Sequence, residues 1–142
     1  MEMTSSTWRS SGRGKLIGCG VDVESVDRFQ QVAENDDHPM PFVFTVEELE
    51  HARSRKEPAR ALCIAFSCKE ALRKALPEPY NYTECEVFPD FDAEGDICDG
   101  PLHLSLSALS GERLAAAMRT MVNPMNRNEM ITSVYVFKEA RP

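Results

Sequence analysis

The first part of the chain with a regular pattern is 16–24, in which apolar and acidic residues alternate over 21–24. Val21 and Val23 are apolar, whereas the residues that alternate with them, Asp22 and Glu24, are acidic. A period of two residues is typical of a β-strand that buries one face. We therefore predict a strand over 16–24 in which the two valines face the core. The two carboxylates then leave the opposite face, with their Cα atoms about 7 Å apart.

Two helices are predicted in the middle of the chain. Thr45 and Glu48 have the spacing of a capping box, in which each side chain accepts a hydrogen bond from the other residue's backbone N–H, so a helix should cover 46–55. Pro58 suits the first turn of a second helix, because a backbone N–H at that position has no partner within the helix. This second helix should cover 59–76 and end at the prolines that follow it.

The second half of the chain predicts further strands. Residues 83–88 and 130–137 are rich in β-branched and aromatic side chains, and 102–107 alternate leucine with polar residues. Ser110 has the side chain of a helix N-cap, so 110–121 are predicted to form a helix. A strand, then helices, then several strands is the order of an α+β domain. We therefore predict an antiparallel sheet packed with helices.

A chain of 142 residues fits one compact domain, and 42% apolar with 27% charged residues is a globular composition. Residues 1–15 are rich in serine, threonine, glycine and arginine and have no apolar period. They are predicted to be a flexible tail, which leaves 16–142 as a single domain. The longest apolar run, 61–66, is far shorter than the about 20 residues of a membrane span, so no membrane association is expected.

The balance of charges limits the partners. Lys and Arg number 16 against 23 Asp and Glu, which gives a formal charge of −7. Binding to nucleic acid is not expected, because it relies on a basic face that displaces phosphate counterions. The five cysteines contain no CxxC pair and the three histidines have no metal-binding spacing. Both facts argue against a zinc site. The odd number of cysteines indicates a reduced chain in the cytoplasm.

Two groups of charged residues are candidates for chemistry. Asp22 and Glu24 repel each other unless a cation or hydrogen-bond donors lie between them, although acids of an edge strand facing water give the same pattern. In the second predicted helix, an apolar run is followed by Lys69, Glu70 and Lys74. Glu70 and Lys74 are four residues apart and share one face, as in many ordinary ion pairs on helices. Each group alone is therefore compatible with a purely structural role.

The two groups occur together in a characteristic order. The segment 20–24, Gly-Val-Asp-Val-Glu, is followed later by 66–74, Phe-Ser-Cys-Lys-Glu-Ala-Leu-Arg-Lys. Together they resemble the two-part signature of the 4′-phosphopantetheinyl transferases: GxD early in the chain, then an aromatic residue, two small residues and KExxxK on a helix. Between them, 44–48 resemble the FTxxE segment of the same family. The resemblance implies the fold of the compact, holo-acyl-carrier-protein synthase type.

The resemblance also implies an activity and a site. Members of the family transfer the 4′-phosphopantetheine arm of coenzyme A, their co-substrate, to a serine of an acyl or peptidyl carrier protein, release 3′,5′-ADP and depend on Mg²⁺. By this resemblance Asp22, Glu24 and Glu70 would bind Mg²⁺. Glu70 would also act, directly or through metal-bound water, as the general base for the serine. Lys74 would lie over the pyrophosphate, and Lys69 would reach a phosphate of coenzyme A.

The chain departs from the compact type of the family at two positions. Ala65 stands where an arginine is usual, and Ala108 stands where a late histidine is usual, with His103 before it in the sequence. Two alternatives therefore stay open: a non-catalytic module of the same fold that binds a carrier protein, and an unrelated α+β protein. Because the coenzyme A site of the family lies between two copies of the fold, the resemblance also implies a homo-oligomer, a trimer.

Overall fold

The computed structural model describes residues 14–35, 40–77, 80–90, 100–101 and 114–138 of the chain. Within these ranges the chain forms helices and an antiparallel sheet, so the predicted α+β class is confirmed. No helix in this part of the chain is long and apolar enough to cross a membrane. In chain order the elements are β1 (Lys15–Ser25), a 3-10 turn (Val26–Phe29), α1 (Gln30–Glu34), α2 (Val46–Arg53), α3 (Pro58–Ala75), a second 3-10 turn (Tyr82–Glu84), β2 (Gly100–Pro101), β3 (Leu114–Asn123) and β4 (Asn126–Lys138).

The sheet has the strand order β1-β4-β3-β2, and every pair of neighbours is antiparallel. Strands β3 and β4 form a hairpin. Strand β1 pairs with β4 and lies at one edge of the sheet that the described strands form. In the register of β1 with β4, Asp22 lies opposite Thr132 and Glu24 lies opposite Met130. The segment that contains the two acidic residues is thus paired with β4, the last described strand.

Helix α3 lies across β1 and β4 and forms the centre of the core. Pro58 occupies its first turn, as predicted, and Leu76 follows its last residue. The apolar run 61–66 is buried on every side of the helix, because the sheet covers one side of α3 and α2 contacts another. This burial anchors the charged segment that follows the run at a defined place on the sheet.

Two glycines of β1 allow an unusually close approach of α3. A Cβ atom added at Gly18 would lie 2.0 Å from the carbonyl oxygen of Ala75, and one added at Gly20 would lie 2.0 Å from that of Ala71. Either distance is far below any real contact, so the close packing of the strand against the helix requires residues without side chains at these positions. The two motifs of the sequence therefore meet through their backbones.

The predicted orientation of β1 is wrong. Val21 and Val23 are 53% and 50% exposed, whereas Asp22 is only 8% exposed and lies on the side of the sheet that α3 covers. Alternation shows that two faces differ but not which one meets the helix. Gly20 lies on the same face as Asp22, because the two are separated by one residue, and the glycine face is the one that lets α3 approach.

The helix predicted over 110–121 is also wrong where the structure describes it. Residues 114–121 belong to β3, whose register places Ala116 opposite Val136 and Met118 opposite Val134. Alanine and methionine favour helices in isolation. Pairing with β4 overrides this preference because the hairpin buries Ala116 and Met118 against the core.

Other predicted elements have mixed outcomes. The strand predicted over 130–137 is confirmed within β4. The strand predicted over 83–88 is replaced by the second 3-10 turn and an extended segment that buries Cys85 and Val87 without a regular strand. The capping box is confirmed, and α2 begins at Val46 as predicted. The strand predicted over 102–107 lies outside the described residues, as do residues 1–13 of the predicted tail.

Candidate functional site

The carboxylate of Asp22 lies between β1 and α3. Its Oδ1 accepts a hydrogen bond from Lys74 Nζ at 3.2 Å, and the same ammonium donates to the Val21 carbonyl oxygen at 2.9 Å. Asp22 Oδ2 is buried, and it has no hydrogen-bond partner among the residues that the structure describes. The contact with Lys74 joins the first motif of the sequence to the second. It also leaves one oxygen of a buried carboxylate unsatisfied, which is costly for a charged group.

Glu24 lies beside Asp22 on the same face of β1. Burial raises the pKa of Glu24, and the neighbouring Asp22 carboxylate raises it further. The guanidinium of Arg28, 2.8 Å from Glu24 Oε1, acts in the opposite direction. The two acids therefore interact as the sequence predicts, and their repulsion is only partly relieved by Lys74 and Arg28.

Glu70 emerges from α3 one helical turn before Lys74. Its Oε2 accepts a short hydrogen bond from the hydroxyl of Tyr82. Burial, together with this bond, raises the pKa of Tyr82, so the phenol stays protonated and remains a donor. Sequence reasoning missed Tyr82. It follows two prolines in an irregular segment, and nothing in the pattern there indicates a functional side chain.

Lys69, the neighbour of Glu70, points in a different direction. Its side chain is fully buried, and its ammonium lies 3.0 Å from the carboxylate of Glu48 and 2.7 Å from the Tyr82 carbonyl oxygen. A third bond goes to the carbonyl oxygen of Cys85, so all three donors of the ammonium are used. In this arrangement the ammonium has no donor left for a phosphate of coenzyme A, so the geometry argues against the expected contact. Consecutive residues on a helix point about 100° apart, which turns Lys69 inward and Glu70 outward.

A row of rings and guanidinium groups borders the acids. The Arg28 guanidinium carbon lies 4.9 Å from the ring centroid of Phe66, and that ring stacks on Tyr82 with centroids 6.0 Å apart. The Arg73 guanidinium carbon lies 4.6 Å from the Tyr82 ring centroid on α3's C-terminal side. The row fixes the Tyr82 ring, since stacking and cation–π contacts both restrict its rotation.

The three predicted metal ligands are brought to one region but not into one cluster. Within the described ranges, no group of three or more histidine, cysteine, aspartate or glutamate side chains is close enough to hold a metal ion. Asp22 and Glu24 adjoin each other, whereas Glu70 is bonded to Tyr82. The residues nevertheless fit Mg²⁺, which commonly uses one or two protein carboxylates with water and substrate phosphates. The unpartnered Oδ2 of Asp22 is the oxygen best suited to it.

Comparison with known families identifies the superfamily to which the chain belongs. A sequence model of the 4′-phosphopantetheinyl transferase superfamily matches residues 18–118, which include both motifs and the segment between them. The chain belongs to this superfamily. The family membership that the two motifs predict is therefore confirmed.

Several curated relatives in this superfamily are holo-acyl-carrier-protein synthases. The enzyme of Clavibacter michiganensis is 40% identical over 77 residues, which cover 53% of this chain and 60% of the relative. That of Clostridium novyi is 31% identical over 91 residues, which cover 63% of this chain and 64% of the relative. One from Clostridium perfringens is 34% identical over 61 residues, or 43% and 46% of the two chains. The matched part thus spans less than two thirds of these relatives.

Solved structures of the superfamily have the same fold. The holo-acyl-carrier-protein synthase of Neisseria meningitidis superposes with a TM-score of 0.60 at 18% identity, over 87% of this chain and 99% of that one. An ACPS–coenzyme A complex from Chronobacterium ammoniagenes gives a TM-score of 0.56 at 20% identity, over 87% and 98% of the two chains. At such identities the likeness shows the fold, and the predicted phosphopantetheinyl transferase-like fold is confirmed.

Proposed function

We propose that the chain is an active 4′-phosphopantetheinyl transferase of the holo-acyl-carrier-protein synthase type. It transfers the 4′-phosphopantetheine arm of coenzyme A to a serine of an acyl or peptidyl carrier protein and releases 3′,5′-ADP. The observation that carries this proposal is the contact of Lys74 with Asp22, which joins the acids of β1 to the charged end of α3. Membership of the superfamily and the names of the curated relatives support it.

In the proposed reaction the serine oxygen attacks the β-phosphorus of the coenzyme A pyrophosphate. A new P–O bond forms to the serine, the bond to the bridging oxygen of the pyrophosphate breaks, and 3′,5′-ADP leaves with that electron pair. Glu70 accepts the serine proton as the general base. Lys74 offsets the charge that develops on the leaving group, which is the main protein contribution in phosphoryl transfer.

Asp22, Glu24 and Glu70 are the residues that would hold Mg²⁺ in this proposal. When bound, the ion supplies positive charge that offsets the pyrophosphate and the developing negative charge. The raised pKa of Glu24 and the unpartnered Oδ2 of Asp22 support a cation at this place, because added positive charge relieves both. Lys74 already supplies one positive charge at Asp22 Oδ1.

The test is a direct transfer assay. The full chain is incubated with coenzyme A, Mg²⁺ and a panel of apo carrier proteins, and the carriers are examined by mass spectrometry for a phosphopantetheine adduct. We expect an adduct with the wild type and none with Asp22→Asn, which keeps the shape of the side chain but removes its charge. An absence of adduct on every carrier, together with measurable carrier binding, would instead establish the alternative. The chain would then be a non-catalytic module of the same fold, which the departures at Ala65 and Ala108 favour.

We also propose that the chain forms a homo-oligomer, a trimer, through the open face of the sheet. Val23, Ile131 and Met121 form a row across three neighbouring strands on the face that α3 does not cover. Val21, Val23 and Met121 are each about half exposed, so this face of the sheet presents neighbouring apolar side chains. In the proposed trimer, another copy of the chain would cover this apolar face.

A cytoplasmic location completes the proposal. Cys63, Cys68 and Cys85 are buried and free, and burial raises the pKa of Cys63 and of Cys85 to about 12. Such thiols stay protonated and unreactive. Free buried cysteines are typical of proteins in a reducing compartment, which supports the cytoplasm as the place of the reaction.

A further inference from the structure

Tyr82 contacts the proposed active site, but none of the reaction steps described above uses it. Its hydroxyl donates to Oε2 of Glu70, while its ring lies between Phe66 and the guanidinium of Arg73. Its backbone carbonyl oxygen accepts a hydrogen bond from the buried ammonium of Lys69 at 2.7 Å. Tyr82 is therefore held at the ring, at the hydroxyl and at the backbone.

The residues behind Tyr82 form a buried, hydrogen-bonded network. Lys69 is fully buried and its charge is balanced by Glu48, which is also fully buried. Glu48 in turn accepts hydrogen bonds from the backbone N–H groups of Thr45 and Val87 at 2.9 and 2.8 Å. This network ties α2, α3 and the segment after Tyr82 together. A side chain held by such a network can fix a more mobile one.

Glu70 is the partner in this pair with more conformational freedom to lose. It is only partly buried, and a glutamate side chain has three rotatable bonds that lose freedom when it must act at one place. The Tyr82 hydroxyl occupies Oε2, so Oε1 is the oxygen that stays available to a cation or to a serine proton. A carboxylate that must serve in a metal site is commonly fixed by a hydrogen bond to its second oxygen.

We propose that Tyr82 is a positioning residue that holds Glu70 for the reaction. The inference rests on the proposed function, because it takes Glu70 as the base and a metal ligand. It assigns to Tyr82 a role that the two sequence motifs do not contain.

The test compares Tyr82→Phe with Tyr80→Phe. Tyr82→Phe removes the hydroxyl and keeps the ring between Phe66 and Arg73. Tyr80→Phe is a matched control, because the buried hydroxyl of Tyr80 donates to the carbonyl oxygen of Lys69 at 2.8 Å and does not contact Glu70. Three quantities are measured on the full chain: the dissociation constant of Mn²⁺ by calorimetry, the melting temperature without metal, and kcat and KM for coenzyme A.

For Tyr82→Phe we expect Mn²⁺ to bind about tenfold more weakly and kcat to fall by a similar factor, as when the hydrogen-bond partner of a metal ligand is removed. KM for coenzyme A should stay nearly unchanged, since the substitution leaves the substrate contacts in place. Tyr80→Phe should lower the melting temperature and leave the Mn²⁺ affinity unchanged. In a Glu70→Gln background, Tyr82→Phe should have no further effect on Mn²⁺ binding.

Mn²⁺ binding that is unchanged or tighter in Tyr82→Phe overturns the inference, as does an equal weakening in Tyr80→Phe. These results are distinguishable from failure of the proposed function. Mn²⁺ binding can be weakened by Tyr82→Phe as expected while the wild-type chain modifies no carrier protein. That result refutes the transferase and leaves the positioning role of Tyr82 intact. A wild-type chain that neither binds Mn²⁺ nor modifies a carrier refutes both.

Discussion

The two oxygens of the Asp22 carboxylate have different surroundings. Oδ1 accepts a hydrogen bond from Lys74, while Oδ2 is buried without a partner. Lys74 therefore acts as a counter-charge for Asp22. In the proposed reaction the same ammonium offsets the charge that develops on the leaving group. Its two roles make separate predictions, because they affect different measurements.

Lys74→Gln should lower kcat about 100-fold, because a preorganised charge at the developing anion is lost. Mn²⁺ binding should not weaken in this variant, since the substitution removes a competing positive charge from Asp22. Both quantities are measured on the full chain with coenzyme A and a carrier protein. Lys56→Gln is the control, because Lys56 is an exposed residue before α3. A variant with wild-type kcat would contradict the role of Lys74.

The burial of Lys69 makes a prediction about stability. Lys69→Met leaves the buried carboxylate of Glu48 without its counter-charge, so the free energy of unfolding should fall by about 3–5 kcal/mol. Urea denaturation followed by circular dichroism measures this loss. The double variant Lys69→Met, Glu48→Leu should recover part of it, because no buried charge is then unpaired. A single variant with unchanged stability and a raised KM for coenzyme A would instead support the contact with a phosphate.

At the scale of elements, the site depends on how closely β1 approaches α3. The residues of the site come from both elements, and Gly18 and Gly20 set their separation. The GxD part of the first motif thus has two physical functions. The glycine admits the helix, and the aspartate two residues later lies on the same face, where the helix can reach it with Lys74.

Gly20→Ala should destabilise the fold and impair the site together. The added Cβ would lie 2.0 Å from the Ala71 carbonyl oxygen, so α3 must move away from β1. We expect a loss of about 1–3 kcal/mol or more in the free energy of unfolding, as in other overpacked cores. Weaker Mn²⁺ binding should accompany it. Cys19→Ala is the control in the same strand, because Cys19 is exposed and should tolerate the change. Equal stability of the two variants would show that the separation of β1 and α3 is not fixed here.

At the scale of the whole molecule, the stability of the fold should depend on pH through Glu24. Burial and Asp22 raise the pKa of Glu24 above its ordinary value of 4.5, so the folded chain holds this proton more strongly than the unfolded chain does. Stability therefore falls as pH rises from 4.5 through the raised value. Glu24→Gln, measured by melting temperature in the presence of a chelator, should gain stability over the wild type near neutral pH. The gain should disappear below pH 4.5, where the carboxyl is protonated in both states. A difference that does not vary with pH would contradict this account.

The open face of the sheet makes a prediction about assembly. Val23→Lys places a charge in the proposed interface between copies, so the oligomer should dissociate. Light scattering coupled to gel filtration measures the mass in solution. Val46→Lys is the control, because Val46 is equally exposed but lies on α2 rather than on the sheet. A Val23→Lys chain of unchanged mass would exclude this face as the interface.

Residues close together in sequence could be predicted well. The capping box of α2, the proline at the start of α3 and the two motifs are local patterns, and local patterns determine hydrogen bonding and helical faces directly. For the same reason the sequence predicted that Asp22 and Glu24 interact and that Glu70 and Lys74 lie one turn apart on α3.

The superfamily, the α+β class and the acids and lysine of the proposed site could be predicted without coordinates, because they follow from short local patterns and from the order of those patterns along the chain. Four features needed the packed fold: which face of β1 meets α3, the strand β3, the buried ion pair of Lys69 with Glu48, and the hydrogen bond of Tyr82 to Glu70. Each of these depends on which distant segments pack together. Burial against such segments outweighs local preference and is not encoded in a local pattern.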